Sequence, residues 1–144
     1  MSTLHSSKPA HRRWRNRSGQ GLVEFALIAP MLLLLFFGLI EFARAWNIRH
    51  VLTDAAREGA RNLALYNTSV SHDSVMQVIH NRLANSGIDT VAANVTLDDS
   101  GAQTGLPASV TITYDHAVVI PFLNVMIGNN GILNIGTTFV MRNE

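Results

Sequence analysis

Cysteine is absent from this chain of 144 residues. The absence excludes disulfide bonds, thiolate metal sites and cysteine nucleophiles, although it does not identify the compartment in which the protein folds. A folded domain in this chain must therefore be held together by packing alone or by partners.

Acidic residues are absent from residues 1–21, where five of the eleven Lys and Arg residues lie: Lys8, Arg12, Arg13, Arg15 and Arg17. This segment is rich in Ser, Arg and Gly and has no apolar periodicity, so we interpret it as a disordered leader. An arginine-rich arm can bind nucleic acid. Basic residues beside an apolar run are, however, typical of the cytoplasmic side of a membrane span. We therefore expect a cytoplasmic N-terminus and no nucleic-acid partner.

Charge is also absent from Phe25 to Ile40, the centre of an apolar run from Leu22 to Ala43. A helix rises about 1.5 Å per residue, so the run is long enough to cross a hydrocarbon layer of about 30 Å. Three interpretations remain open at this point: a permanent membrane anchor, the apolar helix of a pilin-like protein, or a secretory signal peptide. A signal peptide would be cleaved after Ala45 and would release a secreted protein, for example an enzyme. The length of the run and Glu41 just before that site argue against it.

Two glutamates lie inside this apolar run, Glu24 near its start and Glu41 near its end. A carboxylate is costly to bury in a membrane, so Glu24 is expected to have a partner or a function. The alternative is that Glu24 stays hydrated at headgroup depth and has little effect. Two further residues, Pro30 and Gly38, predict a kink and a second soft point in the helix.

The remainder of the chain predicts an α+β fold, with a long N-terminal helix packed on a small antiparallel β-sheet. We place a membrane helix at residues 20–45 and an exterior domain at 46–144. In that domain the helix continues to about 66. A second helix covers 72–85, capped by Ser71 or Ser74 and ended by Gly87. Alternation predicts strands at about 91–97, 109–116 and 132–141, with Phe139 in the core and a bulge at Gly136.

Small residues recur in the continuing helix between residues 51 and 64, and Gly59 lies among them. They allow close packing against the sheet or against a neighbouring helix. A stripe that simply faces the core explains the same pattern and is the preferred interpretation.

Catalytic motifs are not recognisable: there is no P-loop, dinucleotide fingerprint or nucleophile elbow. The six histidines form no H-x-x-x-H pair. The Asp-Asp-Ser-Gly stretch at 98–101 lacks the alternating ligands of a calcium loop. We expect no enzymatic activity, no cofactor and no metal site.

A known family resembles the segment from Gly21 to Arg61. Its features are V-E-F-A at 23–26, Pro30, a Leu run followed by G-x-x-E at 38–41, and A-A-R-E-G-A-R at 55–61. These features, in this order and spacing, resemble the N-terminal signature of the TadE-like family of type IV pilin-like proteins. Residues 18–25 also resemble the processing signal of such proteins, in which a basic leader ends in Gly and a glutamate lies five places after the cut. The final residues 141–144 resemble the end of many members.

The resemblance implies cleavage of the leader, residues 1–19, by a prepilin peptidase between Gly19 and Gln20. Glu24 then becomes the fifth residue and Phe25 the sixth, a position at which the Tad/Flp branch of these proteins usually has Tyr. Glu24 and Phe25 are implied in assembly and in the axial register of neighbouring helices, and Pro30, Gly38 and Gly59 in helix packing.

The function implied is that of a non-catalytic minor pilin, or pseudopilin, of the Tad (Flp) pilus or secretion machine. The implied partners are the prepilin peptidase, other Tad/Flp pilins and pseudopilins, the inner-membrane assembly platform and membrane lipid. The implied location is the bacterial inner membrane, with the C-terminal domain in the periplasm or in an extracellular pilus. The rival is an envelope binding module that stays anchored with its N-terminus uncleaved.

Overall fold

The computed structural model describes residues 17–65, 71–98, 105–120 and 129–142. They form the helices α1 (Arg17–Ala64) and α2 (His72–Asn85) and the strands β1 (Ala93–Asp98), β2 (Pro107–Ala117) and β3 (Ile132–Arg142). A short 3₁₀ turn, Asn129–Gly131, precedes β3. The expected α+β class, a long N-terminal helix with a small antiparallel sheet, is confirmed.

Two compact units divide the chain, Met1–Phe36 and Phe37–Glu144. The described part of the first unit is the beginning of α1. Its large apolar side chains are exposed: Leu22, Val23, Phe25, Leu27, Ile28, Met31, Leu32, Leu33, Leu34, Leu35 and Phe36. The described residues of this unit therefore provide no core for these side chains.

Helix α1 begins earlier than the predicted membrane helix, at Arg17 rather than at residue 20. Residues 17–21 are helical, although we expected them to belong to a disordered leader. Once a helix is nucleated, each added residue gains a hydrogen bond, so a strongly helical segment extends into neighbouring residues of weak preference. The rest of the predicted leader, residues 1–16, lies outside the described residues.

The second unit has its core between α1, α2 and one face of the sheet. The largest completely buried side chains come from all three: Leu52, Leu63, Val75, Ile79, Leu83, Val110 and Ile112. This unit begins nine residues before the predicted domain boundary at 45/46. Glu41 is buried and Ala45 packs against the core, so this part of α1 already belongs to the folded domain.

The sheet is an antiparallel meander in the order β1-β2-β3. Strand β2 is central: its Ile112 lies opposite Val95 of β1 on one side and opposite Thr137 of β3 on the other. Because successive side chains of a strand point to opposite faces, Ala108, Val110 and Ile112 face the helices and are buried. One face of the sheet thus completes the core.

Local signals set both ends of α2. The Ser71 side chain accepts a hydrogen bond from the backbone N–H of Ser74 at 3.3 Å, which makes Ser71 the N-cap. At the other end Gly87 has φ +76, and the N–H of Ile88 donates to the carbonyl of Leu83 at 3.1 Å. This is a Schellman arrangement, which requires a left-handed residue and favours Gly. Both predicted signals are observed.

Strand bounds differ from the prediction chiefly at β1, which begins at Ala93 rather than at 91. The backbone N–H of Val91 donates to the Asp89 carboxylate at 2.9 Å, so a side-chain turn takes the donor that a strand would need. Strand β2 is longer than predicted at both ends, and β3 is one residue longer. Helix α1 ends at Ala64, close to its predicted end at about 66. Residues 66–70 lie outside the described residues.

Two expectations for β3 were wrong. Gly136 is not in a bulge, because β2 and β3 pair without interruption and Gly136 lies opposite Thr113. A Cβ at Gly136 would lie 3.3 Å from Cγ2 of Thr113, so glycine relieves crowding there. Phe139 is half-buried rather than fully in the core. Its ring carries the guanidinium of Arg57 at 5.3 Å from the centroid, which leaves one side of the ring near the surface.

Candidate functional site

The predicted processing residues lie in the first turns of α1. Gly19 and Gln20 are both exposed. A Cβ at Gly19 would meet no other atom within 4 Å. Nothing among the described residues therefore requires glycine here.

Glu24 and Phe25 follow on the same helix, and both are exposed. Among the residues that the structure describes, none forms a hydrogen bond or ion pair with Glu24. A carboxylate in this position of an apolar run has a large desolvation cost unless water or a partner compensates it. The partner expected for Glu24 therefore lies outside the residues that the structure describes, and solvent, lipid headgroups or another chain can supply it.

Pro30 and Gly38 both lie inside α1, and neither ends it. Pro30 still removes one backbone donor from the helix. A Cβ at Gly38 would meet no atom within 4 Å. The kink remains a prediction, and the described residues give Gly38 no close packing partner.

Gly59 differs from the other predicted helix glycines because it is buried at a helix crossing. A Cβ at this position would lie 2.6 Å from Cδ1 and 2.8 Å from Cγ1 of Ile79 on α2. Such distances are shorter than van der Waals contact, so only a hydrogen fits between α1 and α2 here. The small neighbours Ala55, Ala56 and Ala60 are also fully buried. The stripe faces the core, as the preferred interpretation expected.

The charged residues between these small residues face away from the core. Arg57, Glu58 and Arg61 are exposed, and they line a surface groove together with Arg82 of α2. Arg82 and Glu58 are 4.0 Å apart, and both side chains are about half exposed. Exposed pairs of this kind add little stability. The A-A-R-E-G-A-R segment thus combines a packed face with a charged one.

A buried polar pair, which the sequence did not reveal, joins α1 to the sheet. Nε2 of His116 on β2 lies 2.8 Å from Oε1 of Glu41. Glu41 is 7% exposed and His116 is 4% exposed, and these are the buried polar or charged residues of the part of the chain that the structure describes. Buried polar groups cost free energy unless each has a partner, and here each supplies the other's.

Arg44 approaches the same carboxylate from the solvent side. Its Nη1 lies 3.5 Å from Oε2 of Glu41, one turn further along α1. The Arg44 side chain is half exposed, so solvent screens this contact and it contributes less than the buried one. Glu41 therefore has a partner for each oxygen.

The sequence did contain a signal for Glu41. An acid inside an apolar run needs a partner, and this holds for Glu41 as it does for Glu24. What the sequence could not supply was the partner, because His116 is 75 residues further along the chain. Within the described ranges, no group of three or more His, Asp or Glu side chains is close enough to hold a metal ion.

The apolar part of α1 has the properties of a membrane-crossing helix. Within Gly19–Ala64, the most apolar window has a mean hydropathy of 2.5, and none of that window is buried inside the protein. The core helix of a water-soluble protein would be mostly covered. A signal sequence passes the same test of length and composition.

Comparison with protein families matches the segment that contains these features. Residues 19–61 match the TadE-like protein family. The resemblance proposed from the sequence is thereby confirmed over this segment. The match runs from Gly19, the predicted processing residue, through Glu24 and Glu41 into the packed stripe, and it ends at Arg61. Over these residues the chain is similar to TadE-like proteins, a family of structural and generally non-catalytic components of Tad pili.

The TadE-like match ends at Arg61, so α2 and all three described strands lie outside it. No curated protein and no solved structure matches the chain. What is said of α2 and the sheet therefore rests on the structure alone. His116 lies in this part of the chain, which the family model does not reach.

Proposed function

We propose that this chain is a minor pilin, or pseudopilin, of the Tad (Flp) pilus or secretion system. Two observations carry this proposal. Residues 19–61 match the TadE-like family, and the same residues belong to α1, whose apolar part is exposed. Such a protein is an assembly component and performs no catalysis. The apolar part of α1 stores the subunit in the bacterial inner membrane and later enters a bundle of like helices.

Processing is the first step of the proposal. A prepilin peptidase cuts after Gly19, on the cytoplasmic side, and leaves Gln20 as the new amino terminus. The exposure of Gly19 and the empty space around it support access by an enzyme. The basic residues before the cut favour a cytoplasmic leader, and the C-terminal domain then lies in the periplasm or in an extracellular pilus.

Assembly is the second step, and Glu24 is its central residue. The cut creates a positive charge at Gln20, four residues from the carboxylate. When helices leave the membrane and pack together, an unpaired carboxylate would cost several kcal/mol, on the order of 3–5. Pairing between Glu24 and the amino terminus of a neighbouring pilin removes much of this cost and aligns the two helices. Other Tad/Flp pilins and the inner-membrane platform are the proposed partners.

Intact mass of the protein from cells with the Tad machinery tests the processing step. We expect a mature chain that begins at Gln20, and we expect Gly19→Arg to leave a full-length precursor in the membrane. Gly21→Arg is the matched control, since a Cβ at Gly21 also meets no atom within 4 Å. It should still be cut.

A chain that begins at Met1 or Ser2 would favour the permanently anchored binding module, and one that begins at Trp46 would favour secretion. Equal masses for wild type and Gly19→Arg would contradict the proposed cut.

Glu24→Val tests assembly separately from processing. The variant should be cut after Gly19 and stay in the membrane, yet lose cross-linking to partner pilins. Glu24→Asp, which keeps the charge, should retain part of that cross-linking. Because Glu24 is exposed, neither change should alter folding of the second unit. Normal cross-linking by the Val variant would mean that Glu24 stays hydrated and has no role in assembly.

A further inference from the structure

One end of the sheet lies beside the end of the apolar run. Glu41 contacts His116, and His116 pairs with Leu133 near the start of β3. Further along, the hydroxyls of Thr53 and Thr137 are 3.4 Å apart. Residues later in α1 thus contact residues later in β3, so the two chain directions are roughly parallel.

Helix and strand geometry give the heights of these contacts. From Glu41 to Arg57, the residue over the Phe139 ring, α1 rises about 24 Å at 1.5 Å per residue. From Leu133 to Phe139, β3 advances about 20 Å at 3.3 Å per residue. The two lengths are similar, so the start of β3 lies at the height of Glu41, and Phe139 lies about 20 Å further along.

The height of Glu41 is also the expected edge of the membrane. A span needs about 20 residues, and counting from Leu22 reaches Glu41. The last apolar residues before it, Phe37–Ile40, already belong to the unit that contains the sheet. The start of β3, at the height of Glu41, therefore lies beside the end of the apolar run.

Exposed apolar side chains surround this end of the domain. We call Phe42, Trp46, Ile132 and Leu133 the rim; they are exposed by 62%, 53%, 37% and 38%. Phe42, Trp46 and Leu133 line one groove between α1 and β3, in which Arg49 is the charged residue. Water is a poor solvent for such a surface.

The aromatic side chains of α1 favour lipid as the occupant. The rings of Phe42 and Trp46 are stacked with centroids 5.9 Å apart, and Trp46 meets His50 edge-on at 5.2 Å. Three successive turns thus present rings at the end of an apolar run. Trp and other amphipathic rings concentrate at the headgroup level of bilayers.

We propose that the rim is a membrane-contact surface, by which the folded domain rests in the headgroup and upper acyl region of the leaflet that faces it. The contact is continuous with the span and rests on the membrane-stored state in the proposed function. It also explains the Glu41–His116 pair. A carboxylate at the hydrocarbon edge is costly, and the domain supplies His116 as its partner where lipid cannot.

Spin labels on the full-length protein in phosphatidylcholine–phosphatidylglycerol vesicles test the proposal. The chain contains no cysteine, so single Cys variants need no background removed. Ile132→Cys reports the depth of the rim at the start of β3, from the sheet face opposite that of Leu133. Val140→Cys is the matched control, because it is an exposed apolar residue on the same face of β3, about 26 Å further along. Leu33→Cys reports whether the span itself is in lipid.

Collision rates of each label with oxygen, which partitions into lipid, and with a water-soluble nickel complex give its depth. We expect a several-fold higher oxygen-to-nickel ratio at Ile132→Cys than at Val140→Cys, and a high ratio at Leu33→Cys. If Leu33→Cys is in lipid but Ile132→Cys matches Val140→Cys, the rim proposal is overturned and the anchor stands. If Leu33→Cys is in water, the rim proposal and the proposed membrane-stored state both fail.

A second copy of the chain is the competing occupant. If Ile132→Cys is shielded from both reagents and shows dipolar broadening between labels, the rim is a protein interface and the proposal is overturned. Quenching of Trp46 by brominated lipid, in a Trp14→Phe background, repeats the measurement without changing any rim residue. Quenching is expected, and its absence would contradict lipid contact.

Discussion

Two regions of the single helix α1 have opposite environments. In the first unit, the large apolar side chains from Leu22 to Phe36 are exposed. In the second unit, Leu52, Ala56, Ala60 and Leu63 are completely buried. The more apolar region is thus the one that the described residues leave uncovered.

This difference separates two sources of stability. The buried region gains stability from packing on α2 and the sheet, within the chain itself. The exposed region contributes nothing comparable among the described residues, and it needs lipid or other helices to cover it. Substitutions in the first region should therefore affect insertion and assembly, whereas substitutions in the second should affect unfolding.

Leucine truncation in the two regions is expected to give the largest contrast. Leu52→Ala removes a completely buried side chain and should lower the free energy of unfolding by about 2–5 kcal/mol. Leu33→Ala makes the same change where the side chain is 54% exposed, and it should leave that free energy unchanged. Denaturant unfolding of the full-length protein in detergent, followed by near-ultraviolet circular dichroism, measures both. Equal losses would show that the two regions unfold as one.

The buried pair should give the next largest effect. His116→Phe keeps a planar ring but leaves Oε1 of Glu41 without its partner, which should cost about 1–3 kcal/mol. The double variant Glu41→Leu with His116→Phe removes both polar groups and should recover most of the loss. Unfolding in the same detergent gives the coupling between the two sites.

His50→Phe is the control for that pair, because His50 is an exposed histidine on the same helix. It should change the free energy of unfolding little. A double variant as unstable as His116→Phe alone would contradict the compensation between Glu41 and His116.

Glycine to alanine changes should give the smallest contrast. Gly59→Ala places a methyl group against Ile79, and such overpacking costs about 1–3 kcal/mol. Alanine returns up to about 1 kcal/mol of helix preference, so a net loss of about 1 kcal/mol is expected. Gly38→Ala meets no atom within 4 Å and should not destabilise the fold.

Shortening Ile79 should relieve the clash. Adding Ile79→Val removes the Cδ1 atom that lies closest to the new methyl group, so the two changes together should cost less than their sum in a double-mutant cycle. Additive losses would mean that the helices separate instead of clashing at this crossing.

Local patterns predicted most of the secondary structure because the responsible forces act within a few residues. The Ser71 cap and the left-handed Gly87 need only their own neighbours, and both ends of α2 were located. Alternation located β2 and β3 for the same reason. The predicted start of β1 was wrong because the Asp89 side chain accepts the backbone N–H of Val91. In the sequence, this side-chain turn gives a weaker signal than the apolar alternation that begins at Val91.

The site was predicted less completely than the fold. The sequence pointed to Gly19, Gln20, Glu24 and Phe25, whose proposed roles depend on molecules outside this chain. It placed Gly59 on a packed stripe, but it did not show that Ile79 is the neighbour that leaves no room for a side chain. Contacts between distant elements have no local signature, so their partners stayed unknown.

The sequence by itself determined that one helix carries an apolar run of membrane-spanning length, and that an α+β unit with a TadE-like segment follows from it. Hydrophobic periodicity, capping residues and charge are local features, and they can be identified directly in the sequence. Tertiary structure alone decided that Glu41 is paired with His116, that Gly136 lies in a regular ladder and that Phe139 is only half-buried. Each of these depends on which distant residues meet when the sheet packs on α1, and a one-dimensional pattern does not contain that information.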